Sequence, residues 1–524
     1  MGRDTGSAEL SDQRDYDDRD QLAKLGKKEV LKRNFGFWSI MSLSATVLIT
    51  WEGSLVLFAQ GLSNGGPGGI IYTFLAIWIG NLSVFAALCE LVSMAPTAAG
   101  QYHWVYMLAP ASSRRLLSFV TGWLTVAGWQ GNVASASYLC GGFIQALVLL
   151  TSGGDYVPER WQATLLFIAV VVACTAVNAW LTKLLPKIEL TIMVLHIAGF
   201  FGILITLAVM GKHGDAASVF ATFQNGGGWP TQGISVLVGM IGNAFAFIGA
   251  DAAFHLSEEI HNPSTAIPRS IIGAILINGT LGFAMVIAVL FSLANLDSLE
   301  GQFIFPILDV FYGATKSVAG AAAMGSIVIT LAICATMGLF VSASRVFWSF
   351  ARDHGMPFWP TLSKVNPTTA SPLWSIGTTA VIAILLSLIN IGSDVALNDV
   401  LSLSISALYI SYLVALVFLL YRRVTGAIRV PSIENSHEKV VPDNLIWGPW
   451  RIDGILGTLN NVFACMYLVF VLFFSFWPPA TPVASADQMN YSVLVTGAVA
   501  ILSVVYYYVW AKKDYDGPIV ETEI

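Results

Sequence analysis

Charge is the scarcest commodity in this chain: only 11% of its 524 residues are Asp, Glu, Lys or Arg, while 56% are hydrophobic and mean hydropathy is +0.70. A soluble protein of this size could not cover its surface with so few charges. Cysteine is equally sparse. Cys89, Cys140, Cys174, Cys334 and Cys465 all lie inside apolar runs, lacking the close pairs that metal sites or loop disulfides use, and read as packing residues. No GxxxxGK[ST] run is present, which disfavours coupling to ATP hydrolysis. No cluster of His, Cys or acids has metal or nucleophile spacing, so neither a cofactor, a metal centre nor an enzyme is expected. Nothing resembles a nucleic-acid surface. The polar first 34 residues contain no apolar segment of the signal-peptide type and are expected to form a disordered cytoplasmic tail.

What the chain has instead is long apolar runs, each near the ~20 residues that a helix needs to cross a bilayer. They cover residues 37–61, 70–94, 117–149, 161–181, 190–210 and 232–256, then 271–293, 318–347, 373–391, 400–421, 455–477 and 491–510. The expected fold is therefore an all-α polytopic membrane protein of 12 transmembrane helices. With the N-terminus inside, all of the 26 Lys and Arg residues except Arg160, Lys212 and Lys316 fall on the cytoplasmic side. That bias places both termini in the cytoplasm; the plasma membrane, or else the vacuolar membrane, is the expected location. A long connection, 422–454, separates a ten-helix core over 35–421 from a two-helix appendage over 455–510 and a cytoplasmic tail from 511 to 524.

Two spans carry the chemistry. The first holds Thr50, Trp51, Glu52, Gly53 and Ser54 near its midpoint; the sixth holds Phe245, Phe247, Ile248, Gly249, Ala250 and Asp251. An acid beside small residues at mid-membrane depth is costly unless it lines a protein-enclosed cavity. Interrupted spans at matching positions, five apart, point to inverted repeats, about 35–210 and 232–421, with a solute site between them. Freed amides at such breaks attract anions and freed carbonyls attract cations, whereas Glu52 and Asp251, if ionised, favour an ammonium. Either acid could instead carry a proton. His196, alone on the fifth span, is a third proton-coupling candidate because it titrates near neutrality. Glu90 and Arg345, with Arg352, lie where ion pairs could close a cytoplasmic gate, and Gln130, Asn132, Asn243 and Asn278 could hydrogen-bond solute or neighbouring helices.

These motifs resemble those of the amino acid–polyamine–organocation permeases, in particular the fungal amino acid/choline/GABA branch. The resemblance is carried by TWEG at Thr50, NGGPGG at Asn64, ELVSMAPTAAGQYHWV from Glu90, and GADAAFHLSEEIHNPSTAIPRSI from Gly249. SASRVFWSFARDHGMPFW from Ser342 and GPWRIDGILGTLNN from Gly448 extend it across nearly the whole chain. The most specific part is the pattern at Glu258, Glu259, Asn262, Pro263, Ile267, Pro268 and Arg269. It implies the five-plus-five inverted repeat of the leucine-transporter type, with solute held by the first, third, sixth and eighth spans and Phe245 as an aromatic gate. It further implies that Asp251 stands at an acidic position of some proton-linked relatives. His196 stands where several relatives carry a lysine. Glu52 departs from the small residues of many amino-acid-selective relatives, which tilts the expectation toward choline, GABA or polyamine-like amines. The expected activity is secondary-active transport of small nitrogenous solutes with protons; the alternative is a nutrient sensor of permease architecture. Expected partners are that amine or amino-acid solute, the proton, the lipid bilayer and, at the N-terminal lysines, ubiquitin ligase machinery.

Overall fold

The computed structural model describes residues 18–521 except 154, 294–304, 393, 433–437, 484 and 486–488. Among the described residues, twelve helices are long and apolar enough to cross a membrane: Phe37–Ala59, Gly61–Met94, Arg114–Thr151, Arg160–Trp180, Thr182–Met210, Gln232–Glu259, Pro263–Leu293, Val318–Arg352, Leu373–Gly392, Ser402–Val424, Gly454–Ser475 and Ser492–Val509. Twelve crossings put both chain ends on one face, called the tail face below.

The last two spans pack on the outside of the others, the eleventh against the tenth and second and the twelfth against the third and tenth. The first, sixth and eighth spans are mostly buried, whereas the fourth, fifth, ninth, eleventh and twelfth expose most of their residues along broad apolar surfaces that suit lipid. The NGGPGG motif explains itself here. Gly66 adopts φ 69 and sits against residues 222–224, where an added Cβ would come within 2.8 Å of the Gln224 amide nitrogen.

The tail expected to be disordered is packed wherever it is described. Residues 18–24 are helical, Leu22, Leu25 and Leu31 are buried, and Asn34 and Phe35 donate their amides to the Glu259 carbonyl at 2.9 and 3.0 Å. The reason is that three apolar side chains at helical and turn spacing found a ready-made surface, which composition alone does not register. Residues 1–17 lie outside the described residues. The connection expected over 422–454 contains a short parallel pairing of Ile428–Arg429 with Leu445–Ile446.

Candidate functional site

Both interruptions are present. The first span winds as Phe37–Leu48, stops at Ile49, and restarts at Thr50. Ile49 lies in the left-handed region at φ 36, ψ 42, an uncommon and strained place for a β-branched residue. It is held there from outside. Asn278 of the seventh span donates to the Ala45 carbonyl at 2.9 Å and accepts from the Thr50 amide at 3.4 Å, so one side chain serves both sides of the break. Thr50 Oγ1 donates to the Ala246 carbonyl at 3.0 Å, tying this break to that of the sixth span. The sixth span winds as Gln232–Gly239 and Ile241–Phe245, turns at Gly249 with φ 102, and continues as a 3-10 helix over Ala250–Glu259. Ala and larger residues are disfavoured at Gly249 twice over: by that φ, and by Val47 Cγ1, which would lie 3.1 Å from the new Cβ.

Between the breaks lies a cavity of about 50 Å³, lined by Val47–Ile49, Glu52, Gly53, Val56 and Leu57 of the first span. Asn132, Ala136, Leu139 and Phe143 of the third, Phe245, Ala246 and Ile248 of the sixth, and Val328, Ile329, Ala332 and Leu339 of the eighth complete it. The wall is apolar except for Glu52 and Asn132. Glu52 stands in the first turn of the restarted helix, where the positive end of the helix dipole favours a carboxylate. Its Oε1 is 2.6 Å from His196 Nδ1, and its Oε2 is buried and has no hydrogen-bond partner. The Asn132 amide nitrogen is likewise unpartnered, as is His196 Nε2.

Of the residues expected to bind solute, the structure brings Glu52, Gly53 and Phe245 to the cavity wall and leaves the others behind it. Trp51 turns away to pack on His196 and Phe200, with ring centroids at 5.7 and 6.1 Å. Phe247 packs edge-on against Phe74 at 5.3 Å. Ser54, Gly249 and Ala250 are buried in the frame around the breaks. Asp251 is the main correction, because it does not share a cavity with Glu52. Its Oδ2 accepts from Gln101 Nε2 at 3.0 Å and Trp129 Nε1 at 3.2 Å, and His255 Nε2 stands 3.6 Å away. The cause is the 3-10 winding after Gly249, which carries Asp251 off the cavity and toward the short helix Gln101–Leu108. Gln101 and His255 were not singled out in the sequence; His255 was legible as the i+4 neighbour of an intramembrane acid.

The tail face is closed by ion pairs, though not by the pair expected. Glu90 and Arg345 do not meet. Glu90 pairs with Arg423 of the tenth span and accepts from the Ile452 amide at 2.8 Å, while Arg345 pairs with Glu259 at 2.8 Å. Arg352 holds Glu258 with two bonds, at 2.7 and 2.8 Å. Lys27 is buried and pairs with Asp353, which also accepts from Tyr102 Oη at 2.8 Å and the Ile519 amide at 3.0 Å. Burial pushes the Lys27 ammonium below its ordinary range, with Asp353 opposing. Burial would raise the Asp353 carboxyl, but Lys27 and Arg352 overcome it and hold the group below the usual carboxylate range. Segments near the two ends of the described residues meet here: the Glu521 amide donates to the Gly26 carbonyl at 2.6 Å, and Glu521 Oε2 accepts from the Lys28 amide at 2.9 Å.

Whole-chain comparison gives the family to which these twelve spans belong. A family model described as amino acid permease matches residues 35–499. The choline transporter of Saccharomyces cerevisiae is 30% identical over 505 residues, covering 96% of this chain and 85% of that protein. Amino-acid permease 2 of Neurospora crassa is 25% identical over 509 residues, covering 95% and 88%. The swainsonine transporter of Arthroderma benhamiae is 28% identical over 509 residues, covering 94% and 95%. The chain therefore belongs to the amino acid permease family, as a multi-pass membrane transporter of small nitrogenous solutes.

Proposed function

We propose that the protein imports a small organic cation, a primary or quaternary amine, together with a proton, with the tail face in the cytoplasm. The observation that supports this reading is the Glu52 carboxylate at the wall of a cavity that is apolar apart from it and Asn132, with one oxygen held by His196 and the other free. A restarted helix offers its positive end to an anion. In this chain Glu52 already occupies that end, so a solute carboxylate meets an anion and a solute ammonium meets its counter-ion. Phe245 offers a ring on the same wall, and a desolvated cation gains about 2 kcal/mol from one good aromatic contact. The similarity to a choline transporter points the same way.

Uptake of radiolabelled choline, putrescine, GABA and neutral α-amino acids by cells expressing the protein, at several external pH values, tests this. Choline or putrescine should accumulate, and more so in acid medium. Accumulation confined to α-amino acids, or accumulation indifferent to external pH, would overturn it.

A further inference from the structure

A transporter that uses Glu52 as counter-ion for its cation needs somewhere else to put a co-transported proton, because a proton on Glu52 would compete with the solute. Resting on the proposed proton symport, we infer that Glu189 is that seat. Glu189 lies on the fifth span seven residues before His196, so the two share a helix face about 10 Å apart along the axis. His196 faces Glu52 above the break at Ile49, and Glu189 faces Thr46 below it. The carboxyl is fully buried at a junction of three spans. Thr46 Oγ1 of the first span is 2.8 Å from Oε2, and a Cβ on Gly338 of the eighth span would come within 3.7 Å of Oε1. Oε1 has no hydrogen-bond partner.

No cation is paired with Glu189 among the described residues. The titratable group facing it from the eighth span is the Cys334 thiol, and the first span presents only the Thr46 hydroxyl. The seventh span carries no Asp, Glu, Lys, Arg or His between Ser270 and Leu293, and the short helix Pro306–Thr315, also packed on the fifth span, carries Asp309 and Tyr312; the turn Thr182–Leu184 carries Lys183 and the fifth span itself Lys187, both exposed. An ionised carboxylate with one hydrogen bond in such a place is very costly, whereas a neutral acid is tolerated. Thr46 suits the neutral form, since its hydroxyl is also 3.3 Å from the Leu43 carbonyl and can donate there while accepting the carboxyl proton. The proton enters by way of His196, which lies behind the cavity wall on Glu52 and whose Nε2 is unpartnered. When the Phe37–Leu48 half of the first span swings away, Thr46 leaves with it, water reaches Glu189, and the O–H bond breaks with the proton passing to tail-side water. The carboxylate must regain a proton before the junction can close, and that proton is the one handed on from His196, reloaded from the opposite face, so that one proton moves from that face to the tail side in each cycle.

The test uses the full-length protein in proteoliposomes with radiolabelled choline. A one-unit inward pH gradient supports about tenfold accumulation at one proton per solute. Glu189→Gln, which keeps a hydrogen bond to Thr46, should abolish that accumulation while choline exchange across the membrane stays within about twofold of wild type. Glu189→Asp should restore accumulation with a displaced pH midpoint, which a purely structural residue would not do. Wild-type accumulation by Glu189→Gln overturns the inference. An independent reading is the infrared carbonyl band of a buried protonated carboxyl at neutral pH, expected in wild type and missing in Glu189→Gln; an identical band in both overturns the inference whatever the solute. If that band depends on Glu189 but wild type accumulates no choline, putrescine or GABA under the gradient, the symport reading itself fails, and the transport role of Glu189 with it.

Discussion

Glu52 concentrates the chemistry of the cavity in one side chain. Glu52→Gln should leave the protein at the membrane and raise KM for choline about 30-fold, on the order of 2 kcal/mol for a desolvated charge partner, as read from initial uptake rates. Asp251→Asn should behave otherwise. Asp251 is walled in by Gln101 and Trp129, away from the cavity, so KM should hold within about twofold and the loss should appear as about 1 kcal/mol of thermal stability in the purified protein. A rise in KM equal to that of Glu52→Gln would return Asp251 to the solute site. The sequence made both acids visible as intramembrane charges but could not separate them. Their separation depends on the helix type after Gly249, which no local pattern announces. Glu189 escaped notice for a simpler reason: the apolar run of the fifth span reads as beginning at Leu190, one residue later, whereas the helix begins at Leu185.

At the scale of helices, the two breaks have different origins. Gly249 is written into the sequence, since glycine is the residue that adopts φ 102 without penalty. Ile49 is not, and the expected interruption at Thr50–Ser54 is in fact placed before Thr50 by a side chain from another span. Asn278→Ala should therefore loosen the first break from a distance: it removes the acceptor for the Thr50 amide and the donor to the Ala45 carbonyl. Two such bonds are worth about 1 kcal/mol each. The expected outcome is a lower melting temperature together with faster amide exchange over residues 45–50, measured by hydrogen–deuterium exchange; unchanged exchange there would show that the break holds without Asn278. The twelve spans, by contrast, were legible almost entirely, because a bilayer demands continuous apolar length and little else.

At the scale of the whole molecule, the tail face is a clasp in which segments near both ends of the described residues take part, and its pH response has a definite sign. His103, buried beside Thr97, is pushed down to about 4 by burial, from 6.5. Its folded-state pKa is the lower one, so the open or unfolded state binds more protons between these values and stability falls as pH drops through that window. Asp353, also held low, acts with the same sign but is lost only in stronger acid. Acidifying the tail face from pH 6.5 toward 4 should weaken the clasp by on the order of 3 kcal/mol, seen as faster amide exchange over residues 18–35; His103→Gln should remove that response. Removing residues 514–521 should produce the same loosening at neutral pH, since Tyr515, Ile519 and Glu521 bond to Ser118, Asp353 and Gly26.

The burial of Lys27 sets it apart from the other N-terminal lysines. Lys28 and Lys32 are exposed, whereas the Lys27 amine is sealed against Asp353. The molecule thus contains its own chemical clock. An amine-reactive reagent applied from the tail side should modify Lys28 and Lys32 at once, and Lys27 only as often as the clasp opens, so the rate of Lys27 labelling reads the opening of the clasp without any probe being introduced.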